Sequence, residues 1–208
     1  MYYDVNSGII FYQSLSKEEM CLLIDSIYFI EYNSRKGLYA LKQLYFDKTL
    51  SIEDSSFRCH VYIDLLMEAL GQLYSRFFAP NNSAEMLIEQ AKNNRKQFSI
   101  DETNVIFRAR PLRNYVTHID ERNYSLISDE KYYGTFNCLY PGMDESAKVD
   151  LLNSNNPQAN LLDLIDMKYR IIDPEGQFVD VDLNLIEEEL TRISKLSSFL
   201  WKELMPRA

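Results

Sequence analysis

The sequence is dominated by long runs in which apolar residues recur every three or four positions, the spacing that places them on one face of an α-helix. The first run begins at Ser16, which forms the pattern of an N-terminal capping box with Glu19, and it continues to about Tyr45. Asn33-Ser34 and Gly37 are candidate interruptions of this helix. Such helices must bury their apolar faces against one another, which predicts a helical bundle.

The same spacing predicts further helices over residues 53–78, 83–97, 101–127 and 183–204. In the second helix the expected buried stripe includes Phe57 and Val61, and in the last helix it includes Leu185. Ser83 is the expected N-cap of the third helix, because a serine hydroxyl can accept a hydrogen bond from the first turn. Asp101 or Thr103 is expected to begin the fourth helix.

The character of the sequence changes after Ser128. Residues 132–140 are rich in aromatics and read as a strand, and residues 167–172 and 178–181 read as a β-hairpin joined by a Pro- and Gly-containing turn. The stretch between the first strand and the hairpin reads as loop. We therefore predict a mainly α single domain over 1–208, divided into a helical bundle (1–127), a β-containing insert (128–182) and a C-terminal helix that packs back on the bundle (183–205).

Composition excludes several classes of protein. Hydrophobic residues make up 46% of the 208 residues, which is typical of a globular chain, and no apolar run approaches the roughly 18 residues that span a bilayer. The N-terminal residues lack the pattern of a signal peptide, so we expect a cytoplasmic protein. The three cysteines form no Cys-x-x-Cys pair, and we expect reduced, buried thiols and no metal or cofactor.

The fourth predicted helix carries an unusual combination of polar side chains. Arg113 can hold a phosphate with a planar set of donors, and His118 can transfer a proton near neutral pH. At about 100° per residue, His118 lies off the apolar stripe and on the same face as Asn114, which could orient the imidazole. Arg113 lies about 140° from His118, so one copy does not form a compact site, whereas two copies about a two-fold axis could. Pro111 is expected to kink or restart the helix.

The run Arg113-Asn114-x-x-x-His118, followed by Ile119-Asp120-Glu121-Arg122, resembles the motif of the HEPN family (higher eukaryotes and prokaryotes nucleotide-binding domains). The resemblance covers the motif and its helical setting. It implies a helical bundle and a homodimer whose active site is built from both copies of Arg113, Asn114 and His118. The implied activity is metal-independent RNA cleavage that leaves a 2′,3′-cyclic phosphate. It also implies a role in toxin–antitoxin or phage-defence systems, with an antitoxin or regulatory protein as a partner.

The charge distribution bears on this hypothesis in two ways. The formal net charge of −9 argues against a non-specific nucleic-acid binder. Between Lys92 and Arg122, however, seven basic residues face four acidic ones, a local balance of +3. Arg110 and Arg122 could hold flanking phosphates, although a role as solvated surface residues is an equally good interpretation.

Other interpretations remain open. The same polar face could belong to a non-catalytic module that binds a nucleotide, RNA or a protein, or to a structural oligomer. Asp180 and Asp182 could hold a metal, but a strand end that leads into a helix cap is the preferred interpretation. His60 is expected to be structural. The 15 tyrosines and 11 phenylalanines are scattered, which favours core packing over a base-stacking surface.

Overall fold

The computed structural model describes residues 2–4, 9–11, 16–47, 52–79, 83–108, 137–152, 161–172 and 178–204. The described chain is mainly helical, with a small four-stranded sheet before the C-terminal helix. This confirms the fold class predicted from the apolar spacing. The described helices are α1 (Lys17–Asp47), α2 (Ile52–Phe77), α3 (Glu85–Phe98), α4 (Val105–Arg108), α5 (Glu145–Leu152) and α6 (Leu183–Leu204). The described strands are β1 (Tyr2–Asp4), β2 (Ile9–Phe11), β3 (Asn137–Leu139), β4 (Leu161–Asp163), β5 (Lys168–Ile172) and β6 (Phe178–Asp182).

Helix α1 begins at the predicted capping box. The backbone N–H of Ser16 donates to Glu19 Oε2 at 2.7 Å, and the N–H of Glu19 donates to Ser16 Oγ at 3.2 Å. The helix is not interrupted at Asn33-Ser34 or at Gly37. Both polar side chains are buried but donate to carbonyls one turn earlier, Asn33 to Phe29 O and Ser34 to Ile30 O. Their hydrogen-bonding capacity is therefore satisfied inside the helix, which removes the reason for a break.

Helix α1 lies between α2 and α6 and packs along both. The Lys36–Glu68 ion pair joins α1 to α2, and the hydrogen bond from Tyr45 Oη to Asn184 joins α1 to α6. Gly37 marks the close approach, because a Cβ at this position would lie 2.7 Å from Leu190 Cδ1 of α6 and 3.4 Å from a leucine of α2. The interior here has no room for a side chain on α1.

The sheet has the strand order β3-β4-β5-β6, in which β3 and β4 are parallel and the other pairs are antiparallel. The predicted hairpin is confirmed as β5 and β6, with Ile172 opposite Phe178. Strand β4, the short helix α5 and the β1–β2 pair were not predicted. Strands β1, β2 and β4 have only three residues each, too few to show an alternating pattern, and for this reason the periodicity did not predict them.

Several side chains that the apolar spacing predicted to be buried are exposed in the structure. Phe57 is 77% exposed and Val61 46% exposed, so the start of α2 turns a different face to the core, one that carries Cys59 and Ile63. Leu185 of α6 is also exposed. Ser83 does not cap α3, because the N-cap is Ala84 and its side chain makes no capping hydrogen bond. The rest of the predicted α6 stripe is buried or half-buried, and side chains from α1, α2, α6 and the sheet share one core cluster.

Candidate functional site

All five sequence-predicted site residues lie in the segment 109–136, outside the described residues: Arg110, Arg113, Asn114, His118 and Arg122. The structure therefore neither brings them together nor separates them. It does describe the residues that lead directly into this segment. Helix α4 ends at Arg108, two residues before Arg110. The candidate site is accordingly built from α4 and the elements that hold it.

The start of α4 is fixed by side chains of the preceding turn. Asp101 Oδ1 accepts hydrogen bonds from the backbone N–H of Thr103 at 2.8 Å and from its hydroxyl at 2.6 Å, and these bonds lower the pKa of the Asp101 carboxyl. Asn104 Oδ1 then accepts from the N–H of Ile106 at 2.9 Å, the N-cap geometry. The helix thus begins slightly later than predicted, because Asn104, rather than Asp101 or Thr103, satisfies its first free N–H.

Aromatic packing holds the other side of α4 against α2. The Phe107 ring meets the Phe78 ring edge to face at 4.9 Å between centroids, and it lies 6.0 Å from the Tyr74 ring. Arg95 of α3 places its guanidinium carbon 5.1 Å from the centre of the Phe78 ring, a cation–π contact. The Phe78 ring therefore lies in contact with both Arg95 of α3 and Phe107 of α4.

A cleft of about 570 Å³ opens between α4, β6 and α6. Apolar side chains contribute part of its wall, and its charged residues are Arg108, Arg192, Asp180, Asp182, Glu188 and Glu189. The size is in the range of small-molecule sites. Arg108 lines the cleft and is the last described residue before the motif segment, so the described chain ends at the cleft on this side.

Glu189 links the two helices that border the cleft. Its Oε1 accepts from Asn104 Nδ2 at 2.8 Å, and its Oε2 accepts from Arg192 Nε at 2.8 Å. Burial acts to raise the pKa of Glu189, but the hydrogen bonds from Arg192 and Asn104 outweigh it, and the pKa is lowered overall. Asn104 therefore caps α4 with one atom and ties it to a charged carboxylate of α6 with another.

The two aspartates of β6 have structural roles, in agreement with the preferred interpretation from sequence. Asp180 forms a two-point ion pair with Arg170 of β5, at 2.7 Å from Nε and 2.9 Å from a terminal nitrogen, and this pair lowers the pKa of the Asp180 carboxyl. Asp182 Oδ1 accepts from the N–H groups of Asn184 and Leu185 and so caps α6. Among the described residues, no group of three or more His, Cys, Asp or Glu side chains could hold a metal ion.

The described part of the cleft can anchor a segment but offers little catalytic chemistry. Three of its four carboxylates are engaged, Asp180 and Glu189 by arginines and Asp182 by backbone N–H groups. The guanidinium of Arg108 is exposed and makes no ion pair or hydrogen bond within the described part of the chain. It is the cleft group best suited to meet an anion.

The predictions for His60 and for the three cysteines concern residues that lie outside the cleft. His60 lies on α2, partly exposed, with Nε2 3.8 Å from Asp64 of the next turn, and the structural role expected for it stays a prediction. All three cysteines are free thiols, as predicted, but Cys21 is exposed rather than buried. Cys59 and Cys138 are buried against each other, and their hydrogen bond, together with burial, raises the pKa of Cys138.

Asn104 and Glu189 are the site residues that sequence reasoning missed. The signal for Asn104 was present, since asparagine is among the strongest N-cap residues and it directly precedes the apolar Val105-Ile106-Phe107 run. Glu189 had no such signal, because its partner lies 85 positions earlier in the chain.

No helix within the described ranges is long and apolar enough to cross a membrane. No protein-family model, no curated protein and no solved structure matches this chain.

Proposed function

We propose that this protein is a metal-independent endoribonuclease that cleaves RNA through a site shared by two copies of the chain. The observation that carries the proposal is the continuity between α4 and the motif. Arg113, Asn114 and His118 follow within ten residues of Arg108, and the helix start before them is capped, tied to α6 and packed on α2. A rigidly held origin is what a site needs if its reactive side chains are to keep their geometry.

The residue types suffice for cleavage because RNA supplies its own nucleophile. His118 of one subunit removes the proton of the 2′-hydroxyl, and the 2′-oxygen attacks the adjacent phosphorus. The bond from phosphorus to the 5′-oxygen breaks, and His118 of the partner subunit gives that oxygen a proton. The products are a 2′,3′-cyclic phosphate and a 5′-hydroxyl. Arg113 neutralises charge on the phosphorane, and Asn114 orients the imidazole.

Charge around the motif supports an anionic substrate in spite of the net charge of −9. Arg108 places an exposed guanidinium in the cleft, where the carboxylates of Asp180 and Glu189 are already paired with other arginines. Arg110 and Arg122 would then contact phosphates on either side of the scissile bond. The resemblance of the motif to HEPN nucleases points to the same chemistry and to a role in defence or in a toxin–antitoxin pair, with an antitoxin or regulatory protein as a partner.

The test is incubation of the purified protein with a mixed RNA in EDTA, followed by analysis of the new 3′ ends. Wild type should produce cyclic phosphate ends, and His118→Ala and Arg113→Ala should lose at least about 100-fold in rate, the usual contribution of a general acid–base group or charge stabiliser. His60→Ala is the matched control, since it removes the other histidine from an exposed position on α2. Absence of cleavage by wild type, or full cleavage by His118→Ala, would refute the nuclease.

A second candidate function is a non-catalytic module that binds a nucleotide, RNA or a protein partner through the same face. The acidic surplus of the described cleft lining favours the protein partner among these, because four carboxylates accompany two arginines there and would repel an RNA substrate. Fluorescence anisotropy with a labelled RNA separates the two functions. Binding that is lost in Arg113→Ala, without any cleavage by wild type, would identify the binding module.

A further inference from the structure

The outward face of α1 carries a row of four aromatic and two basic side chains. We call it the aromatic–basic stripe, and it consists of Tyr28, Tyr32, Arg35, Tyr39, Lys42 and Phe46. The four aromatics are 51% to 59% exposed, and the Arg35 side chain is 65% exposed. At about 100° per residue, all six positions fall within about 40° of one line along the helix. The stripe is about 27 Å long at the helical rise of about 1.5 Å per residue.

The stripe points away from the core of the protein. Gly37 lies on the opposite side of α1, where it touches Leu190 of α6 and Leu66 of α2. Helix α4 packs on α2 and α6, so the cleft that leads to the motif belongs to a different face from the stripe. The stripe and the cleft are therefore separate surfaces of the described structure.

One end of the stripe is already organised by contacts with α6. The Tyr28 ring stacks on the Tyr32 ring at 6.5 Å and meets Trp201 at 5.6 Å. Arg35 is held by Glu31 at 2.7 Å and by the Ser198 hydroxyl at 3.2 Å. A shallow hollow of about 280 Å³ lies among these side chains. Side chains that are ordered before binding lose little entropy when a partner arrives.

Reversal of the stripe about residue 37 places an aromatic position opposite each cation and an aromatic opposite an aromatic at the two ends. Positions 28 and 46, 32 and 42, and 35 and 39 are related by reversal about residue 37. We propose that a second copy of this chain packs its own α1 antiparallel on the stripe, about a two-fold axis at the level of Gly37. Each cation then meets an aromatic ring: Arg35 meets Tyr39 of the partner subunit, and Lys42 meets the partner's Tyr32. Tyr28 meets the partner's Phe46 at each end.

The exposed area of the aromatic–basic stripe is compatible with an interface to a second copy of the chain. Half of the surface of four aromatic side chains is roughly 400 Å² per chain. The stems of Arg35 and Lys42, together with Trp201 beside the stripe, bring the surface towards the roughly 800 Å² per partner of a standard interface. A nucleic-acid strand fits less well, because it brings one phosphate per nucleotide to a surface with two cations, on a chain of net charge −9.

The pairing of Arg35 with the partner's Tyr39 can be tested by exchanging the two residue types. Tyr39→Arg sets two guanidinium groups against each other at both sides of the axis, and Arg35→Tyr combined with Tyr39→Arg restores both cation–aromatic pairs. Sedimentation velocity should show the single variant at half the mass of the wild-type assembly, with association weakened about 100-fold, and the double variant at the wild-type mass. Leu87→Arg, which adds the same charge at a similarly exposed site on α3, should leave the mass unchanged.

Melting curves and RNA cleavage are measured on the same samples. A folded Tyr39→Arg protein whose assembly mass is halved supports the proposal whether or not the protein cleaves RNA, so the result is independent of the nuclease hypothesis. A wild-type monomer, an unchanged mass for Tyr39→Arg, or failure of the double variant to recover the mass would overturn it. Loss of labelled-RNA binding by Tyr39→Arg at unchanged mass would also overturn it and would assign the stripe to nucleic acid.

Discussion

The connection between Asn104 and Glu189 should measurably stabilise the protein, and its two parts can be separated. Asn104 accepts from the N–H of Ile106 and donates to Glu189. Serine at this position can still cap α4 but cannot reach the carboxylate, whereas alanine can do neither. A hydrogen bond to a charged group contributes about 1.5–3 kcal/mol. Because Glu189 keeps its bonds to Arg192, the lower end of that range applies.

We therefore expect Asn104→Ser to lower the free energy of unfolding by about 1.5 kcal/mol. Asn104→Ala should lower it by about 2.5 kcal/mol, since loss of an N-cap costs about 1 kcal/mol more. Urea unfolding followed by circular dichroism measures both values, provided that the m-value stays constant. Equal destabilisation by the two variants would show that the cap contributes nothing. A loss below about 0.5 kcal/mol for alanine, the usual size of a surface substitution, would refute the connection itself.

The pH dependence provides a second check on the same pair. The pKa of Glu189 is lowered from its ordinary value of 4.5 in the folded protein. The stability that this carboxylate provides is therefore fully present above about pH 4.5 and is lost as the pH falls through the lower folded pKa. The difference between wild type and Asn104→Ser should shrink over that acidic range. A difference that stays constant down to about pH 2 would mean that the charge of Glu189 is not involved.

Three further predictions follow from other contacts. Gly37→Val should destabilise the protein by about 2 kcal/mol in urea unfolding, because the new side chain would overlap a fully buried leucine; an unchanged midpoint would contradict the packing. Iodoacetamide should modify Cys21 in the native protein, but Cys59 and Cys138 only after unfolding, as peptide mass mapping can show. Asp180→Asn should cost less than about 1 kcal/mol at pH 7, because the ion pair is partly exposed. Since the folded pKa of Asp180 is lowered from 3.8, that cost should disappear as the pH falls below this value; a cost that persists there would rule out the ion pair.

The long elements could be predicted from sequence because their signals are local. The capping box at Ser16 and Glu19, the pairing of β5 with β6, and the apolar spacing of α6 each involve residues that are close to one another in the sequence. The motif residues Arg113, Asn114 and His118 were proposed from residue type, spacing and the family resemblance. Their arrangement stays a prediction, because they lie outside the described residues.

Sequence alone determined the fold class and most of the long helices, since both depend on residue type and short-range periodicity. Tertiary structure decided which faces are buried and which distant residues meet. Phe57 is exposed although its spacing indicated burial, and Asn104 meets Glu189 across 85 positions of the chain. Helical spacing places the tyrosines of α1 in a row, but their exposure was decided by the packing of α2 and α6 on the other sides of the helix. The physical reason is that burial depends on what packs against a helix, and no local pattern contains that information.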